Sequence, residues 1–309
     1  MKKTALYYSN IFLEHIVPNG HPENNNRIKF IIKNIQESNF KNLKFKNAKP
    51  ANHNILKLGH TERYINWLLQ LKPAKEIIKI DQDTFMSPKT LESAKIGVGC
   101  LIDAIDSVLE KKFKNAFCLI RPPGHHAERE KAMGFCFFST VGIGTKYLKK
   151  IKKIYKTAIV DFDVHHGNGT QDVLWDNPDC LFISIHQNNL FPFTGEKNQT
   201  GVNNNILNIP VNANSNSNEF RSIVDNIIIP RLINFAPEFL LISAGFDGHK
   251  DDQISQTQWE ESDFIYITKK LKSVANQFCE DRIVSCLEGG YHLEKLSTCC
   301  VSHIKTLME

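Results

Sequence analysis

The chain reads as an α/β protein in three layers, a parallel sheet held between two layers of helices. Two observations lead there. Short apolar runs without strict alternation are separated by stretches of helical period, and polar residues of unusual type stand directly after several of those runs. A strand covered on both faces has no wet side, so its run stays apolar throughout.

The runs are residues 4–8, 116–120, 157–162, 181–185, 239–243 and 283–287. Between asparagine-rich loops, residues 206–211 form one more short strand. Residues 88–110 place Leu91, Ala94, Val98, Leu101, Ile105 and Leu109 broadly on one side, as a helix does. Residues 220–235 and 264–278 behave in the same way. Alternating strands and helices build a sheet with helices on both faces. The 309 residues suit one large domain or two smaller ones. No repeat or linker divides them, so residues 1–309 are expected to form a single domain.

The net charge is +5, from 38 basic and 33 acidic residues. The cluster Lys149, Lys150, Lys152 and Lys153 reads as a solvated helix face rather than a nucleic-acid patch. Of the eight cysteines, Cys118, Cys136, Cys180 and Cys286 lie inside apolar runs, and no Cys-x-x-Cys pair occurs. They are expected to be buried thiols in a reducing compartment. Ser9, Asn10 and Glu14 interrupt the apolar start, which argues against a signal peptide, and no stretch is long enough to span a bilayer. A cytoplasmic protein without a membrane partner is the expectation.

Ligand sites of parallel sheets gather beyond the carboxyl ends of the strands. Asp161, Asp163 and His165 end the run at 157–162. On an extended strand they would share one face, and oxygen plus imidazole donors suit zinc or iron(II). Asp247, between Gly245 and Gly248, is another strand-end carboxylate, though equally an ordinary turn residue. His125 and His126 follow Pro122-Pro123-Gly124, which fixes the backbone that aims them, and imidazoles titrate where acid–base chemistry needs them. Gly289-Gly290 before Tyr291 reads either as a plain turn or as a loop that brings the phenol onto a developing oxyanion. At this stage Asp161 and Asp247 are equal candidates for the metal. The set as a whole describes a metallohydrolase.

RPPGHHAERE at 121–130, MGFCFF at 133–138, DFDVHHGNGTQ at 161–171, SAGFDGHKDD at 243–252 and LEGGYHL at 287–293 resemble the histone deacetylase superfamily, in its class II-like branch. HPENNNR at 21–27, GHTERYI at 59–65 and DQDT at 81–84 extend the likeness over nearly the whole chain. The branch also holds acetylpolyamine amidohydrolases and acetoin-utilisation proteins. The resemblance implies an arginase-like fold with an eight-stranded parallel sheet. It implies Asp163, His165 and Asp247 as zinc ligands, with iron(II) as an alternative metal. Asp161, Asp163, His165, Ser184 and Ile185 would form a structural potassium site, largely through backbone oxygens. His126 would be the general base and then acid, oriented by Asn168. His125 would be held by Asp161, and Tyr291 would donate to the substrate carbonyl. Gly134, Phe135, Phe191, Ile254 and Gly289 would form the acyl channel.

The sequence departs from the family pattern in several places. Ser139-Thr140 replaces Asn-Asn, Phe193 stands where a glycine is usual in the Phe-Pro-Gly loop, and Gln253 replaces a proline. Polyamine-selective members resemble one another in a glutamate seven residues after the metal-binding Asp; here that residue is Ile254. An apolar gate points to acetyl-lysine in a protein or peptide as the substrate. Acetylpolyamines or other small acetamides are the alternative, and an acetyl-binding regulator without turnover is a third. A two-metal hydrolase of the arginase type ranks last, because the denser Asp/His clusters are missing.

Overall fold

The computed structural model describes residues 3–309. Its strands are β1 (Thr4–Tyr7), β2 (Leu43–Lys46), β3 (Ile78–Lys79), β4 (Phe85–Met86), β5 (Asn115–Cys118), β6 (Thr157–Asp161), β7 (Cys180–Gln187), β8 (Ile206–Val211), β9 (Phe239–Ala244) and β10 (Ile283–Leu287). Eight of them form one sheet in the order β2-β1-β5-β10-β9-β6-β7-β8, every neighbouring pair parallel. This is the arginase/deacetylase fold. The two short strands β3 and β4 pair antiparallel outside it.

The central strands are buried along their whole length, which explains their unbroken apolar runs. Successive residues nonetheless serve different layers. Ser285 of β10 and Phe117 of β5 meet His303 on the helix Leu293–Met308. Their neighbours Cys286 and Cys118 lie by Cys100, on the helix Thr90–Leu109. That period-two division is what a sheet between two helical layers requires. One layer packs Thr90–Leu109 against Thr140–Lys150; the other packs Asn26–Glu37 and Glu261–Phe278 against Leu293–Met308. All eight cysteines are buried free thiols, among them the four expected to be buried from their apolar runs. No described helix is long and apolar enough to cross a membrane.

Two features differ from the sequence reading. β2 escaped it because Lys44 and Lys46 alternate through Leu-Lys-Phe-Lys and only Leu43 is buried, the pattern of an edge strand. The helix expected at 220–235 is instead Ser217–Ile223 and Ile229–Phe235, joined by a π-helical turn at Val224–Ile228. Pro230 has no N–H to donate one turn back, so the ladder re-registers just before it.

His303 is fully buried, its Nδ1 2.7 Å from Thr268 Oγ1 and its Nε2 2.9 Å from Ser285 Oγ. Burial lowers its pKa from 6.5 to about 3. Above pH 6.5 this neutral imidazole costs nothing. As pH falls from 6.5 towards 3, only the unfolded chain takes up the proton, and stability is lost. In urea unfolding between pH 6 and pH 4, His303→Gln is expected to flatten the pH dependence by up to about 1.4 kcal/mol per pH unit. An unchanged slope would contradict this.

Candidate active site

The carboxyl ends of β5, β6, β9 and β10 converge on one buried cluster. β6 ends at Asp161, so Asp163 and His165 do not share a pleated face as the sequence reading supposed. Two side-chain-to-backbone turns bring them together instead. Asp161 Oδ1 accepts from Asp163 N at 3.1 Å, and Asp163 Oδ1 accepts from His165 N at 2.9 Å. Asp247 comes across from the β9 loop, its Oδ1 accepting the Val164 N–H at 3.0 Å.

His165 Nδ1 lies 3.0 Å from Asp163 Oδ1 and 3.0 Å from Asp247 Oδ2. Ligand atoms from Asp163, His165 and Asp247 all lie within 4.8 Å of one another. Both carboxylates are 0 % exposed. Burial, reinforced by Asp163, pushes the Asp247 carboxyl up to about 6. Two buried carboxylates with one imidazole and no Lys or Arg between them form a donor set that fits zinc or iron(II). The backbone of Gly289 closes the cluster from behind, donating to Asp163 Oδ2 at 2.7 Å. A Cβ there would stand 2.1 Å from Asp247 Oδ2, so only glycine fits. Gly289, expected in the channel wall, stands directly against the carboxylates of the cluster.

His125 Nδ1 donates to Asp161 Oδ2 at 3.0 Å. Burial opposes its charge, but Asp163 and Asp161 outweigh burial and raise its pKa to about 10. His126 differs. Its Nδ1 lies 2.8 Å from Asn168 Oδ1, while Asn168 Nδ2 donates to Glu128 Oε1 at 2.7 Å. With the amide N–H committed to Glu128, the Asn168 oxygen faces His126, so Nδ1 carries the proton and Nε2 keeps a lone pair. Burial, then His125 and His165, hold the His126 pKa well below its ordinary value.

A cavity of about 140 Å³ leads to this cluster, lined by Asp83, His126, Gly134, Phe135, His165, Phe191, Ile254 and Tyr291. It brings together Gly134, Phe135, Phe191 and Ile254 of the expected channel with His126 and Tyr291. The lining is not purely apolar, however: Asp83 shares the cavity with Ile254. Burial and Asp81 raise the Asp83 carboxyl above its ordinary pKa.

Several supporting residues were given no role from sequence. Glu23, Arg27 and Arg121 are all 0 % exposed, and Glu23 Oε1 accepts from Arg121 Nε at 2.7 Å and from Arg27 Nη1 at 3.1 Å. Arg27 also donates to Gly290 O at 2.6 Å and Glu288 O at 2.5 Å, and its guanidinium sits 4.9 Å from the Tyr291 ring centre. Asp252 Oδ2 accepts from Tyr291 N at 2.6 Å and His292 N at 2.9 Å. Glu288 Oε2 accepts from Gly124 N at 2.7 Å, tying the histidine loop to β10. One signal was available: an arginine, Arg121, directly after a buried apolar strand must be paired.

The fold and this site define a hydrolase architecture of the arginase/deacetylase kind. A family model described as the histone deacetylase domain matches residues 21–307. The chain is 36% identical to Type-2 histone deacetylase 2 of Dictyostelium discoideum over 99% of its own length, but spans only 21% of that protein. It is 32% identical to a probable deacetylase of Archaeoglobus fulgidus, covering 94% of this chain and 82% of the relative. The crystal structure of the HDA15 HD domain superposes with a TM-score of 0.92 at 27% identity, over 99% of this chain and 88% of that one. The chain belongs to the histone deacetylase family.

Asp252 restrains the Tyr291 backbone without touching the metal-type cluster. Asp252→Ala is expected to lower kcat up to about 100-fold through misplacement of the phenol, with metal content per chain unchanged. Steady-state kinetics beside metal analysis checks this, and full activity would contradict it.

Proposed function

We propose that the chain is a zinc-dependent deacetylase that removes acetyl groups from acetyl-lysine side chains of proteins or peptides and releases acetate. The observation that carries this reading is the buried Asp163–His165–Asp247 cluster at the floor of a narrow channel, beside an imidazole whose Nε2 is free. Zinc held by these three residues would polarise the amide carbonyl and make a water acidic enough to react.

The chain's own groups do the rest. Phe135 and Phe191 line the channel and exclude water from an apolar acyl-lysine stem. His126 Nε2 accepts a proton from the attacking water, and returns it to the leaving amine as the C–N bond breaks. Asn168 and Glu128 keep His126 in the tautomer that can do so. His125, paired with Asp161, stays charged and disfavours premature protonation of His126. The Tyr291 hydroxyl donates to the carbonyl oxygen as negative charge builds there. For the structural potassium site we propose Asp161, Asp163, His165, Ser184 and Ile185; Asp161 faces Ser184 across the β6–β7 register, and oxygen donors suit such a hard cation.

Asp83 supports a second reading, since its carboxylate in the cavity lining would attract the distal ammonium of an acetylpolyamine. Deacetylation assays on acetyl-lysine peptides and on acetylputrescine separate the two. The expected result is faster turnover of peptides and a loss of about 10²–10³ in kcat for Tyr291→Phe. Unchanged turnover in Tyr291→Phe would sink the oxyanion role. A preference for acetylputrescine that Asp83→Asn abolishes would install the polyamine reading.

A further inference from the structure

Two phenylalanines occupy the left-handed backbone region, Phe135 at φ +69° and Phe193 at φ +62°. A bulky residue is a genuine outlier there, whereas glycine enters the region freely. Phe135 is compensated within the chain. Its N–H donates to Thr84 Oγ1 at 3.0 Å, and its ring packs 4.8 Å from His21 and 6.0 Å from Tyr291. Phe193 is not. The residue is 77 % exposed, the most of any exposed large apolar residue described, and no described aromatic ring lies against it.

The loop nonetheless holds Phe193 firmly. Its N–H donates to Leu190 O at 2.8 Å. On its other side, Thr194 Oγ1 lies 2.8 Å from Nδ1 of the buried His166, and Gly195 O lies 3.0 Å from Nε2 of the buried His186. Two residues earlier, the Phe191 ring lines the channel 5.1 Å from His126. Two residues span at most about 7 Å, so Phe193 stands at the rim of the channel. A strained backbone and an exposed phenyl are both unfavourable in the free chain, and outliers of this kind gather at ligand-contacting loops.

Resting on the deacetylase reading above, we infer that Phe193 determines specificity. It is an aromatic platform for an apolar side chain next to the acetyl-lysine of a peptide or protein substrate. With the acetyl-lysine stem in the channel, the neighbouring substrate residues lie on the rim. An uncharged phenyl there rewards aromatic or aliphatic contact.

The test compares wild type, F193G and F193W on three substrates: an acetyl-lysine peptide with flanking Phe, one with flanking Asp, and acetyl-lysine with no flanking residues. Glycine adopts φ +62° without strain, so F193G should fold at least as stably, which thermal unfolding verifies. Expected is a rise of roughly tenfold in KM for the Phe-flanked peptide alone, with kcat unchanged and F193W close to wild type. Equal changes on all three substrates, or none, would overturn the proposal. Wild type that cleaves only unflanked acetyl-lysine would also overturn it while leaving deacetylation intact. Wild type that cleaves none of the three would instead bring down the acetyl-lysine reading, and this inference with it.

Discussion

The structure depends on holding several carboxylates in a place that water does not reach. Glu23, Asp161, Asp163, Asp247 and Glu288 are each 0 % exposed, at one end of one sheet. Burying such charges costs several kcal/mol each unless partners are built around them. Each has a different solution. Burial opposes the charge on Glu23, yet Arg121, His15 and Arg27 hold it well below the usual carboxylate range. Asp161 has His125. Glu288 takes two backbone N–H groups and the Ser243 hydroxyl, and burial still pushes it up to about 7. Asp163 and Asp247 are left facing each other across His165, the arrangement that a divalent cation completes.

These partners also tie the loops together. Arg27 comes from the start of the helix Asn26–Glu37 and grips the chain on both sides of Gly289. Glu288 in turn holds the loop that carries His125. The His125–His126 pair, the metal-type cluster and Tyr291 are thus braced against one rigid sheet edge. A fixed constellation of this kind is what lets a proton move over a short distance at the right moment.

Much of this could be read from residues alone. The apolar runs located the central strands because both faces of each strand are covered, and polar residues just past the runs located the site. Other parts were not legible. Asp247 looks like any turn residue locally, and only resemblance gave it a role. The Asx turns at Asp161 and Asp163 replaced the strand alternation that seemed to explain the same clustering. Glu23, Arg27 and Asp252 act over separations of up to 263 residues, as in Arg27 to Gly290, and such pairings leave no local pattern. Asp83 was hidden for the same reason: nothing nearby in the chain says that it shares a cavity with Tyr291.

Membership of the histone deacetylase family and the geometry of this cluster converge on one central claim, that Asp163, His165 and Asp247 hold a single divalent metal ion. Zinc titration of the metal-free wild type and of Asp247→Ala, followed by metal content and thermal unfolding, tests it most directly. The account predicts about one zinc per wild-type chain with a rise in Tm, both lost in Asp247→Ala. Full zinc occupancy in Asp247→Ala, or no binding by the wild type, would contradict it.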